Sequence, residues 1–281
     1  VVHKGLIYVG ARAENYVSTA NEESTFNIIA VDWDSNPVPN QTIDVEIVER
    51  RWASIQEQDP NSGETVWTWE VEEIPVTDGV VTTDAEGKAQ FTYIPPNGGT
   101  FKIIVSSRDE AGTEVRASSF SWVSSREYVS WRQDNDESVD LVPEQTDYSV
   151  GDTAKVLITS PYQGTSEALV SIERGDIITV EHITLESNSH IYEFEIFPEY
   201  APNVYVSVFI IKAVDETNPI ASYRMGITRL LVDIEQKELN IDISADREIA
   251  SPQETVQYLV KVTDYKGDPV VAEVGVGVTD L

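Results

Sequence analysis

The chain has 281 residues, room for two or three ordinary domains, and 41% of them are apolar, enough for packed cores. Nineteen Lys and Arg stand against 49 Asp and Glu, a net charge of −30, and a surface this acidic repels phosphate backbones and anionic lipids. Nucleic acid is thereby excluded as a partner, the charge reads first as a source of solubility, and the absence of cysteine removes disulfides, thiolate metal sites and cysteine nucleophiles together.

The opening VVHKGLIYVG has no Met, no basic n-region and no long apolar h-region, so it reads as neither a natural start nor a signal peptide. From there the hydrophobic period is two almost everywhere. TIDVEIVE, AQFTYI, TFKIIVSS, AKVLITS, EALVSIE, IYEFEIF, NVYVSVFII and LNIDISA alternate or run apolar, rich in Val, Ile, Thr, Phe and Tyr, as strands do. Turn clusters separate them: DSNP, DPNSGE, DAEGK, PPNGG, DEAGT, SPYQG and YKGDP. No amphipathic helix of ten residues is legible, and no apolar run reaches the roughly 18 residues of a membrane helix. The pattern predicts an all-β chain of tandem Ig-like or fibronectin-like antiparallel β-sandwiches.

An internal repeat sets the domain count. VDWDSNPV at 31–38 matches TDYKGDPV at 263–270, with Asp32, Trp33, Pro37 and Val38 answered by Asp264, Tyr265, Pro269 and Val270 at one spacing of 232 residues. Three strand openings resemble one another, near Glu22, Asp152 and Glu254. They predict three domains: 1–124, which carries the long hairpin RWASIQEQDPNSGETVWTWEVEE; 125–232; and 233–281. The last is about half a sandwich, and two or three strands cannot bury a core alone. It is expected to be completed by residues outside this chain.

The search for chemistry returns no catalyst. The histidines are His3, His182 and His190, and no G-x-S-x-G frames a serine nucleophile. His182 and His190 face each other only if a hairpin turns at ESNS, and they would still need a third metal ligand; they read as surface histidines. With 49 acidic residues any carboxylate pair is uninformative, VGDTAK lacks the phosphate-loop frame, and DNDESVD fails the EF-hand pattern and reads as a solvated linker. No catalytic, cofactor-binding or metal-ligating residue is assigned, and no enzyme activity is expected. Trp67 and Trp69, two apart, share one strand face, and Trp52 on the partner strand joins them. Packed, they form a cross-strand aromatic cluster, the favoured reading; exposed, they would form a sugar-stacking surface. Asn40 opens an N-x-T sequon.

Residues 148–178, YSVGDTAKVLITSPYQGTSEALVSIERGDII, resemble the start of the bait-region domain of the α2-macroglobulin family. APNVYVSVFIIK is similar to that domain's next signature, and LVDIEQKELNIDIS with VKVTDYKGDPVVAEVGVGVTDL to the segment that closes it. Where many relatives carry a Pro-Gly-Asp-type turn, the third repeat has SPQET. The resemblance implies macroglobulin (MG) domains in the frame of a broad-spectrum endopeptidase inhibitor that traps proteases after bait cleavage. Its implied partners are the target endopeptidases and the remaining MG and thioester-type domains of the same protein. With no cysteine here, any thioester lies elsewhere, and the lack of disulfides fits the bacterial branch. The bait is expected to begin at the boundary Asp280 and Leu281, and the protein to sit outside the cytoplasm. The competing reading is an Ig-like surface adhesin or carbohydrate-binding rod, with Trp52, Trp67 and Trp69 as its surface.

Overall fold

In the computed structural model the described residues are 5–58, 65–132, 136–249, 251 and 253–277, the side chains of 54–58 and 65–67 excepted. Eight strands precede residue 125: β1 (Ile7–Ala13), β2 (Val17–Thr19), β3 (Ser24–Asp32), β4 (Thr42–Gln58), β5 (Thr65–Thr82), β6 (Lys88–Tyr93), β7 (Gly99–Arg108) and β8 (Glu114–Ser124). They form a sheet ordered β1-β3-β6 and a sheet ordered β2-β8-β7-β4-β5. The alternation of STFNIIAVD sends Phe26, Ile28 and Ala30 inward. Ile43, Val45 and Ile47 of β4 and Phe101, Ile103 and Val105 of β7 meet them from the other sheet, all essentially without solvent contact. Each of the Val, Ile and Phe side chains contributes about 1.5–3 kcal/mol on burial. The long hairpin forms as expected, β4 pairing antiparallel with β5 from Thr42↔Thr82 out to Gln58↔Thr65. Since β7 accompanies β4 only as far as Arg50, the outer half projects as a two-stranded arm.

The next eight strands are β9 (Leu141–Pro143), β10 (Asp147–Tyr148), β11 (Thr153–Ile158), β12 (Ser166–Glu173), β13 (Ile177–Leu185), β14 (His190–Glu195), β15 (Asn203–Lys212) and β16 (Ser222–Val232). Sheets β14-β11-β9 and β10-β16-β15-β12-β13 enclose Val156, Ile158, Val170, Val206, Val208, Ile210 and Leu230. Then β17 (Asn240–Ala245) and β18 (Tyr258–Thr263) pair only with each other among the described residues. Two 3-10 turns, Pro198–Tyr200 and Glu235–Lys237, are the helical elements described, and among the described residues no helix is long and apolar enough to cross a membrane.

The condition set for a facing pair of histidines is not met, and one expectation, the solvated linker, is corrected. The segment between β13 and β14 is not a hairpin: β13 pairs with β12, whereas β14 pairs with β11 in the facing sheet. The chain crosses between sheets at Glu186–Ser189, so His182 and His190 lie in different sheets. His182 sits 3.1 Å from Glu167, and His190 pairs with Ile158. Of the stretch DNDESVD, Asp134 and Asn135 lie outside the described residues, and the remainder is not wholly a solvated linker. Val139 is buried in the second core, and the N–H of Val139 donates to Met225 O at 3.0 Å. Gly226 permits this approach, because a Cβ there would lie 2.4 Å from the Val139 carbonyl oxygen.

Candidate functional site

The sequence repeat is reproduced in the backbone bonds to its aspartate. Oδ1 of Asp32 accepts from the N–H groups of Asp34 and Asn36, both at 2.9 Å. Oδ1 of Asp264 accepts from those of Lys266 and Asp268, both at 2.9 Å. Bridges Val31↔Pro37 and Thr263↔Pro269 close the two turns alike. The third residue after each aspartate is left-handed, Ser35 at φ 67 and Gly267 at φ 88. An aspartate that caps its own turn explains why the two stretches share Asp and Pro at fixed places. The surroundings differ. Residues of β3 in the first repeat are buried against a facing sheet, whereas Ile241, Ile243, Tyr258 and Leu259 of the β17–β18 ribbon are exposed.

Between the first two sandwiches the chain is clamped. The Asn188 side chain accepts from Val129 N–H at 2.9 Å and donates to Val129 O at 2.7 Å. Its backbone carbonyl accepts from Trp131 Nε1 at 2.8 Å. Ser125 N–H donates to Ser189 Oγ at 3.0 Å, and Tyr16 N–H to Glu144 O at 3.1 Å. Val17, Val129, Trp131 and Leu157 bury one another, and the rings of Trp122 and Trp131 stand 5.5 Å apart. This explains why AKVLITS runs apolar instead of alternating. Val156 and Ile158 face their own core, while Leu157 faces the first sandwich. The sequence reading missed Val129, Trp131 and Asn188; an unassigned Trp close after a domain boundary was the one available signal.

Of the aromatic candidates, Trp52 is half-buried with the Arg50 guanidinium 4.9 Å over its ring and that of Arg132 at 5.8 Å. Arg50 also lies 5.3 Å over Phe120, and Ser130 Oγ donates to Trp52 O at 2.8 Å. Trp69 is half-buried, and pairing of Trp52 with Val71 and of Ser54 with Trp69 puts Trp52 and Trp69 on one face of the arm. Trp67 pairs with Gln56, and its side chain lies outside the described residues. Asp280 and Leu281 also lie outside them. Among the described residues no three His, Cys, Asp or Glu gather as metal ligands.

Successive β-sandwiches, clamped at their junction and leading to an open strand pair, define a modular β-sandwich scaffold. The chain belongs to the α2-macroglobulin family: residues 139–281 match the model of the alpha-2-macroglobulin bait region domain, and residues 10–122 that of bacterial macroglobulin domain 6. It is 21% identical over 274 residues to an alpha-2-macroglobulin homolog of Nostoc sp., covering 95% of this chain and 14% of the relative. To an alpha-2-macroglobulin of Ralstonia nicotianae it is 28% identical over 216 residues, covering 73% and 12%. The chain thus spans about one seventh to one eighth of the length of these relatives. Among solved structures, native E. coli alpha-2-macroglobulin aligns at TM-score 0.39 and 13% identity, covering 94% of this chain and 17% of that one. Salmonella alpha-2-macroglobulin reacted with methylamine aligns at 0.36 and 12%, covering 92% and 17%.

Proposed function

We propose that the chain is a stretch of the frame of an α2-macroglobulin-like endopeptidase inhibitor, in which cleavage of a flexible bait lets the molecule close around the attacking protease. The observation that carries this is the match to a bait region domain across both the second sandwich and the open third repeat. On this reading residues 1–124 and 125–232 are two MG sandwiches. Residues 233–281 begin a third, whose exposed apolar ribbon is covered by strands contributed from beyond the bait, and the bait begins near Asp280 and Leu281. The division of labour is physical. Packed sandwiches resist proteases because cleavage needs an extended, unprotected segment. A clamped junction such as Asn188–Val129 keeps the frame taut, so that one cut in the bait releases a constrained arrangement. The chain itself then carries no catalytic group, its partners are target endopeptidases and further domains of the same protein, and it works at the cell surface, in the periplasm or outside the cell.

Brief treatment of the full-length protein with endopeptidases of different specificity tests this. Cuts gathered in one segment following Leu281, with residues 5–232 intact, are expected. Cuts scattered through the sandwiches overturn the reading.

A further inference from the structure

The outer face of sheet β10-β16-β15-β12-β13 carries apolar side chains where an antiparallel sandwich ordinarily turns polar residues to water. Register sets Leu169, Phe209 and Met225 in one row across β12, β15 and β16, with Ile227 in the next row. Tyr223 stacks on Phe209 with ring centroids 5.4 Å apart. Met225 is 52% exposed and Ile227 58%. Contiguous apolar surface of this kind marks an interaction site. The face is also sparsely charged within a chain of charge −30. Its charged side chains in these rows are Glu167, Glu173 and Arg229, the last two lying on either side of Tyr205 in register. At one corner a hollow of about 440 Å³ opens between Tyr205, Ile227 and Ile177, with Glu173 and Asp176 on its rim.

We propose that this face docks against the apolar sheet face of another β-sandwich domain of the same protein, an inference that rests on reading the chain as part of a larger frame. The surface is a broad sheet face, the shape that packs on a second sheet about 10 Å away. A second copy of the chain would bring its own charge of −30 and be repelled. A tethered domain arrives at high effective concentration and needs no electrostatic attraction. The matched relatives are about seven to eight times longer than the stretch they share with this chain, which leaves ample length for such a domain.

Met225 is the sole methionine of the chain and stands, half exposed, at the β16 end of the Leu169–Phe209–Met225 row, so it reports its own coverage. The rate at which dilute peroxide converts it to the sulfoxide, read by mass spectrometry, is compared between the 281-residue chain and the full-length protein. Docking predicts oxidation about tenfold slower in the full-length protein, and Ile227→Glu in that protein restores the fast rate. Equal rates in the two unsubstituted proteins overturn the proposal. So does concentration-dependent dimerisation of the 281-residue chain that itself protects Met225, since the occupant is then a second copy. Bait cleavage of the same sample is scored separately. A single preferred cut with unprotected Met225 removes the docking face alone, and scattered cuts with protected Met225 remove the inhibitor reading while the docking face stands.

Discussion

Asn188 holds Val129 as a neighbouring strand would, its side-chain amide accepting from the Val129 N–H at 2.9 Å and donating to the Val129 carbonyl at 2.7 Å. The crossover of the second sandwich is thereby tied to the connection leaving the first. Replacing Asn188 with Ala leaves two buried backbone groups without partners, at about 1–3 kcal/mol each. Asn188→Ala should lower unfolding stability by about 2–4 kcal/mol in urea titration. Asn188→Asp should do nearly as badly, since it keeps the acceptor and loses the donor. Stability within about 0.5 kcal/mol of the parent would show that the clamp is not structural.

Ser35 and Gly267 occupy the same place in equivalent turns, and only one of them is suited to it. Serine in the left-handed region carries a penalty that glycine escapes. Ser35→Gly is expected to raise the stability of the first sandwich by about 0.5–1 kcal/mol. A fall in the urea midpoint would mean that the Ser35 side chain contributes more than its backbone costs.

Gly226→Ala should act in the opposite direction. The new methyl would stand 2.4 Å from Val139 O and 2.9 Å from Leu141 Cγ, forcing the incoming segment off β16. A loss of about 1–3 kcal/mol is expected, with a lower thermal midpoint for the second sandwich. An unchanged midpoint would show that the 137–141 segment yields freely.

Acid should weaken the fold in two stages. Burial holds the His190 imidazole below its ordinary value, with the nearby Glu186 working against this. As pH falls through about 6.5 the unfolded chain takes this proton more readily than the folded one, so stability declines. The second stage lies below about pH 4. The Asn36 side chain lowers Asp32, the Leu6 N–H lowers Asp109 and the Lys212 ammonium lowers Asp215, so each resists protonation in the folded state. Glu144, raised by burial, opposes the second stage. Urea midpoints at pH 7.5, 5.5 and 3.5 should fall in order, and His190→Gln should flatten the first step alone. Parallel profiles for the parent and His190→Gln would remove His190 from the account.

Much of the architecture was legible in the chain. The alternation of STFNIIAVD and NVYVSVFIIK gives both strand and inward face, because side chains project to opposite sides at every step. The hairpin was equally readable, since adjacent strands joined by a short turn pair by default. The pairing of Asp32 with Asp264 showed a repeated unit, because a capped turn depends on residues only a few positions apart.

The sequence by itself therefore determined the all-β class, the repeated turn and the family resemblance, all of which rest on local stereochemistry or on the order of motifs. Tertiary structure alone decided that β13 and β14 belong to different sheets, that Leu157 serves the junction instead of the core, and that a polar-looking ESNS turn supplies the Asn188 clamp. Backbone N–H and C=O groups are alike in every strand, so the period of a strand states which side is buried but not which distant strand it will meet. The choice of partner is made by packing over the whole sandwich.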